Sequence, residues 1–278
     1  MITFVFLIMT DFSSNLQAQF SGFYNTPHLF LEPVLGMQTL ITMKQNTPVF
    51  KGIGLQNIRL GQRVERFVTT ELLLSKNITI VSENPQIQTK TNQTIGELDC
   101  LFLDKRRPVH LEIQFKFYLY DSALGDTEIE CCIGPMRRDS LLEKLTKLKS
   151  KQLPLLYAQE TRPLLEHLNL KAEEFTQKIY FKAQIFVPYG KTIQFKTLNP
   201  ECIYGFYFRY KNLPSFKACK FYIPKKTDWL LDVTPKVAWK TYREIEPQLA
   251  VYKNEKYSPL LWLKYNNGEI YKCFVVAW

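Results

Sequence analysis

Asp99 and Glu112 stand 13 positions apart on two extended runs joined by the short basic segment Asp104-Lys105-Arg106-Arg107-Pro108. If the runs pair as a hairpin, the two carboxylates face one another. Such a pair suits a hard divalent cation, Mg²⁺ or Mn²⁺, which takes one or two carboxylates and completes its shell from water and substrate phosphate. A cation held there polarises a phosphodiester and acidifies an attacking water.

The second run adds to this set. From Val109 to Leu119 it alternates without a fault, with Val109, Leu111, Ile113, Phe115, Phe117 and Leu119 on one face. His110, Glu112, Gln114, Lys116 and Tyr118 fall on the other, as a period of two requires. An acid, an amide and an amine thus project from one side of one strand. A lysine in such a site orients the attacking water or offsets charge on a phosphorane-like transition state. At ~3.3 Å per residue, the backbones of Glu112 and Lys116 are ~13 Å apart, against ~6.6 Å for Glu112 and Gln114. Lys116 must therefore fold back along the strand to reach a shared metal. The same row also fits the polar face of any half-buried strand, and Asp99 fits a strand-end acid. His110 shares the row as a candidate base, although a lone strand histidine is more often a hydrogen-bonded structural residue.

The elements that must position these residues follow from pattern. Val64, Phe67, Val68, Leu72 and Leu74 approximate helical spacing and predict a helix over 61–75. Short strands over 78–81 and 86–89, then a strand over 97–103, lead to the alternating run. A loop through Gly134-Pro135 precedes a basic helix over 138–151, with Leu141, Leu142, Leu145 and Leu148 at helical spacing. A helical stretch over 163–178 and a strand over 179–187 follow. The remainder mixes short strands (204–210, 219–223, 259–264, 270–277) with helices near Trp229 and Tyr242. The fold class expected is α/β (α+β), a mixed central sheet flanked by helices. Residues 1–60 read as an N-terminal extension and helical lead-in, 61–190 as the core, and 191–278 as a basic, aromatic-rich α+β region packed on it.

Composition bounds the function classes. With 278 residues, 46% hydrophobic and 22% charged, the chain excludes disordered, collagenous and low-complexity classes. Its length allows a core that needs no staples. Cys100, Cys131, Cys132, Cys202, Cys219 and Cys273 form no CxxC pair and no zinc-finger spacing with histidine, so buried thiols in a reducing, cytoplasmic setting are expected. The apolar run over 1–10 lacks a basic n-region and is shorter than the about 20 residues that span a bilayer. It reads as a buried strand or as a start-site artefact with Met9 as the true start, and no membrane partner is expected. The formal charge is +10, and the last 78 residues hold 13 basic against 7 acidic side chains. That balance points to a polyanion, nucleic acid above all. Lys144 and Lys147 are candidates to track a phosphate backbone, and Gln152 to contact a nucleotide. The run from Tyr204 to Tyr210, followed by Lys211, Lys217, Lys220, Lys225 and Lys226, fits base stacking with phosphate binding by the lysines, or ordinary aromatic strand core. No protein partner is readable. A carboxylate pair also serves glycoside hydrolysis, but the basic balance and the strand-borne Lys116 fit a phosphate better than a sugar.

Gly96-Glu97-Leu98-Asp99 followed by His110-Leu111-Glu112-Ile113-Gln114-Phe115-Lys116-Phe117-Tyr118-Leu119, in the order αβββαβ, resembles the PD-(D/E)XK nuclease superfamily. More closely, the chain is similar to the bacterial domain-of-unknown-function family eighteen-fifty-three, which is assigned to that superfamily. Gly134-Pro135, Asp139, Gln152-Leu153, the stretch from Ser258 to Lys264 and the close from Phe274 to Trp278 also fit that family. The resemblance implies a restriction-endonuclease-like core and Mg²⁺- or Mn²⁺-dependent hydrolysis of nucleic acid, DNA ahead of RNA. It makes Asp99 and Glu112 metal ligands, Lys116 the catalytic lysine and Glu65 an additional acid. Gln114 occupies the usual lysine position, two after the second acid, and that departure leaves a rival reading: a degenerate fold that binds nucleic acid without cutting it.

Overall fold

The structure is a computed structural model and describes residues 15–42, 47–52, 55 and 58–278. The apolar run over 1–10 lies outside the described residues. In chain order the elements are α1 (residues 15–25), β1 (Gln38–Thr39), α2 (Leu60–Leu72), β2 (Ile78–Glu83), β3 (Gln86–Gln88) and β4 (Thr94–Glu97). Then come β5 (Cys100–Asp104), β6 (Arg107–Tyr120), β7 (Cys132–Ile133), α3 (Leu141–Lys147), α4 (Arg162–His167) and β8 (Thr176–Pro188). The chain continues with β9 (Ile203–Arg209), β10 (Lys220–Tyr222), α5 (Tyr242–Asn254), β11 (Leu260–Lys264) and β12 (Ile270–Val276).

Strands β5 and β6 form the expected hairpin. Its loop is Lys105-Arg106, both with left-handed backbone (φ 48° and 69°), the geometry that matches strand twist in a two-residue turn. The register pairs Cys100 with Leu111, so Asp99, one residue before β5, stands level with Glu112. Strand β6 then runs parallel to β8 from Val109–Thr176 to Leu119–Phe186. A ten-stranded mixed sheet results, in the order β10-β11-β12-β9-β8-β6-β5-β2, with β1 and β7 on its margins. The C-terminal strands therefore extend the same sheet.

Both faces of β6 are covered. On one side Leu111, Ile113 and Tyr180 pack with Phe20 and Phe23 of α1 and Phe67 and Val68 of α2. On the other, Leu141, Leu145 and Leu148 pack with Tyr118, Ile179 and Phe181. The polar row of β6 thus lies beneath α3, and His110, Glu112 and Gln114 are buried. A second buried polar set ties α2 to β8: Tyr180 Oη donates to Glu71 Oε2 at 2.5 Å, and Lys182 Nζ lies 3.4 Å from the same oxygen.

Several expected boundaries move for local reasons. The 97–103 strand is split, because Leu98 turns into the core and Asp99 sits in a bend between β4 and β5. The 163–178 helix ends at α4, where Asn169 takes left-handed backbone (φ 54°), a common helix stop; Thr176 to Lys178 join β8 against β6. The 138–151 helix begins after Ser140, whose hydroxyl caps Glu143 N–H, and its last turn, Leu148–Gln152, is π-helical. All six cysteines are buried thiols, and no helix among the described residues is long and apolar enough to cross a membrane.

Because Leu145 is fully buried between α3 and the sheet, Leu145→Ala is expected to cost about 2–5 kcal/mol of unfolding free energy, read by urea denaturation.

Candidate functional site

Strand β5 pairs with β6 only as far as Leu111, and β7 joins it only at Leu119. Between them, no strand among the described residues pairs with that edge of β6. A cavity of about 540 Å³ opens there, lined by Glu65, Asp99, Ile113 to Phe117, Asp139, Lys144 and Gln152. The Asp99 side chain replaces the missing ladder partner: Ile113 N–H donates to its Oδ2 at 2.7 Å.

Glu112 lies fully buried behind this wall. His110 Nε2 stands 3.0 Å from its Oε1, and Gln152 Nε2 donates to its Oε2 at 2.5 Å. Gln177 Nε2 donates to Leu153 O at 2.6 Å and reaches His110 Nδ1 at 2.9 Å. That amide fixes the ring: Nδ1 accepts, so Nε2–H donates to Glu112. Burial drives the His110 pKa down to about 4, which keeps the imidazole neutral. It acts as a holder of Glu112 rather than as a base facing solvent.

Electrostatics set the pair apart. Burial, then the charge of Glu112, pushes the Asp99 carboxyl up to about 8, against the opposing pull of the Ile113 N–H. Burial likewise pushes Glu112 up to about 7, with Lys144 as the strongest opposing charge. Lys144 is pushed down to about 8, chiefly by burial and then by the charge of Lys116. Two buried acids that resist joint ionisation are a setting that a divalent cation relieves.

The expected site residues divide into groups. Asp99 and Glu112 come together, with Gln114 beside them on the cavity wall. Glu65 also lines the cavity, half-buried, and accepts from Asn84 Nδ2 at 2.6 Å. Burial raises its pKa first, against the Asn84 bond, with Glu97 adding to the rise. Lys116 stays at the rim, where its Nζ donates to Asp139 Oδ2 at 2.8 Å. Lys144 reaches inward, and its Nζ donates to Gln152 Oε1 at 2.8 Å. Lys147 is exposed and off the cavity.

Lys226 belongs to the basic stretch named after Tyr210, whereas periodicity could not reveal a place for Trp229 at this cavity. They reach the cavity from a 3₁₀ turn, Lys226–Leu230, more than a hundred residues beyond β6, held by ring contacts of Trp229 with Phe117 (5.3 Å) and Phe274 (5.2 Å). Arg138 lines the rim as well, and its only sequence signal is its place just after the Gly134-Pro135 loop. Of the aromatic run after Tyr204, Tyr207, Phe208 and Tyr210 are buried, which removes them from any stacking surface.

Among the described residues, no group of three or more His, Cys, Asp or Glu side chains is placed to hold a metal. Mg²⁺-type ions need fewer, since one or two carboxylates suffice beside water and phosphate. The donors present fit: Asp99, Glu112 and the Ile113 carbonyl, which leaves the strand on the same edge as its N–H. Each Glu112 oxygen accepts one hydrogen bond and keeps a lone pair, so a cation can be shared by both acids with the Gln152 contact in place.

An α+β protein with a large mixed sheet and a paired-carboxylate site at an open strand edge is the class that these features define. The chain belongs to the domain of unknown function family DUF1853, whose family model matches residues 38–276. No curated protein and no solved structure matches the chain.

The raised carboxyl pKa values have a fixed sign. Folded Asp99 and Glu112 hold protons up to about 8 and about 7, above their unfolded values. A divalent cation therefore competes with protons below that range. Mn²⁺ affinity is expected to rise from pH 6 to pH 8 and then level, with proton release measured by calorimetry in two buffers of different ionisation enthalpy. Without metal, the same shifts lower folding stability as pH rises from about 4 to about 8.

Proposed function

We propose that this protein is a metal-dependent phosphodiester hydrolase of the PD-(D/E)XK type, acting on nucleic acid with Mg²⁺ or Mn²⁺, DNA ahead of RNA. The observation that carries the reading is the facing pair Asp99 and Glu112 at an open strand edge, beside a cavity with Lys116, Arg138, Lys144 and Lys226 on its walls. These four cationic side chains stand with the acids Glu65, Asp99, Asp139 and Glu112, and a divalent cation held between Asp99 and Glu112 would tip that balance toward an anionic substrate. A buried-thiol chain suits a reducing, cytoplasmic setting.

When bound, the cation would polarise the phosphoryl oxygen and acidify water. Asp99 and Glu112 would hold it, with Glu112 kept in one orientation by His110. Arg138 and Lys226 attract the phosphate backbone at the mouth, and the lysines offset the negative charge gained at phosphorus. In the hydrolysis, a water oxygen bonds to phosphorus and the bond to the leaving oxygen breaks. The water gives up one proton, and the leaving oxygen takes one up.

A second reading has its own observations. Gln114 stands at the usual lysine position and Gln152 covers Glu112, so the same fold would serve as a nucleic-acid binder without turnover.

Calorimetric titration of Mn²⁺ into the wild type, Asp99→Ala and Glu112→Gln tests the site without a guess about substrate. Uptake by the wild type, weakened at least about tenfold in both variants, is expected. Cleavage of DNA and RNA oligonucleotides should fall about 100-fold or more with it. Uptake that survives both substitutions removes the proposed site. Binding of nucleic acid with no cleavage selects the second reading.

A further inference from the structure

We propose that Lys144 on α3, in place of the strand residue Lys116, supplies the cation at the reacting phosphate, and that Gln152 is its positioning residue. The proposal rests on the phosphodiesterase reading of the same site and assigns it a lysine from a different element.

Placement separates the two amines. Lys116 is four residues beyond Glu112 on β6, ~13 Å along the backbone, and its Nζ is engaged with Asp139 at the rim. Lys144 enters from above the sheet and is bonded to Gln152, whose other amide end contacts Glu112. One side-chain amide thus joins the lysine to the buried acid. The charge of Lys144 acts on both Asp99 and Glu112, whereas that of Lys116 is not among the main influences on either.

The helix geometry explains how both residues reach the site. Leu141, Leu145 and Leu148 anchor α3 on the sheet, and Lys144 flanks that stripe on the cavity side. In an unbroken α-helix, Gln152 would stand about 80° around the axis from Lys144, at ~100° per residue. The turn Leu148–Gln152 is instead π-helical, closed by Leu153 N–H donating to Leu148 O, five residues back. Its wider turn rotates each residue less, which brings Gln152 back into line above Lys144. Here the π turn aligns two polar side chains over a buried carboxylate.

Chemically, the ammonium supplies what Gln114 cannot at the usual lysine position. It donates to a non-bridging phosphate oxygen or to the attacking water, and its charge counters the one that grows at phosphorus. The Gln152 carbonyl oxygen holds Lys144 independently of the contact that its amide nitrogen makes with Glu112.

The test compares Lys144→Ala, Lys144→Arg, Gln152→Ala and Lys116→Ala with the wild type. The probe is thymidine 5′-(p-nitrophenyl phosphate) with Mn²⁺, with thermal melting as the check on folding. Lys144→Ala is expected to lower kcat about 100-fold at little-changed KM. Lys144→Arg should recover part of that loss, since the charge returns on a less suited planar group. Gln152→Ala should lower kcat about tenfold with KM held, and Lys116→Ala, at a residue of the same cavity wall, should lower kcat at least about tenfold less than Lys144→Ala does. Wild-type kcat in Lys144→Ala together with loss in Lys116→Ala overturns this assignment and leaves the phosphodiesterase reading standing. Absence of Mn²⁺ uptake by the wild type overturns both. Mn²⁺ uptake by the wild type with no turnover of this ester likewise overturns both.

Discussion

The burial of Glu112 governs this structure. A carboxyl group at the centre of a sheet is costly unless its oxygens are satisfied, and each neighbouring polar choice answers that cost. His110 is held neutral and donates to one oxygen, while Gln152 donates to the other. Gln177 fixes the His110 tautomer and is itself anchored on Leu153 O. The result is a polar layer inside an apolar sandwich, satisfied one bond at a time. Such a network is costly to disturb because every member leaves another unpaired when it is removed.

The open edge of β6 is the second constraint. Pairing with β5 stops at Leu111 and pairing with β7 starts at Leu119, so the stretch between them is laddered to β8 on one edge and, among the described residues, joined to no strand on the other. Asp99 closes part of that gap by accepting from Ile113 N–H. The rest is walled by elements distant in sequence: α2 with Glu65, α3 with Lys144, and the turn bearing Lys226 and Trp229. The sheet is continuous from β2 to β10, and this continuity brings the C-terminal region to the site.

What was legible in the sequence had a short-range physical signature. The alternation from Val109 to Leu119 announces β6, and the basic segment after Asp104 announces its hairpin, so the facing of Asp99 and Glu112 follows from counting. Leu141, Leu145 and Leu148 announce α3. The depth of the polar row was not legible, because alternation says which residues share a face but not whether a helix covers it. The direction of Lys116 was not legible either, since spacing gives backbone distance while Asp139 decides where the amine goes. The π turn left no pattern: Leu148 to Gln152 reads as ordinary helix, and only packing shows the wider turn. Lys226 was named within a basic stretch, but its place at this cavity, and that of Trp229, needed the tertiary fold. The aromatic run after Tyr204 was ambiguous because strand core and stacking surface draw on the same residue types.

The two-residue loop of the hairpin has a consequence for how this chain can vary. Lys105 and Arg106 are exposed and touch none of the site, so their side chains are free to change where the left-handed backbone is tolerated. Their number is not free. A single residue inserted with the two-residue turn kept would shift β5 against β6 by one step, and in a sheet that step exchanges the two faces. Leu101 and Leu103 would trade places with Cys100 and Phe102, and Asp99 would lose Glu112 as its neighbour. Families with this architecture should therefore accept many sequences at the hairpin tip and almost no change in its length.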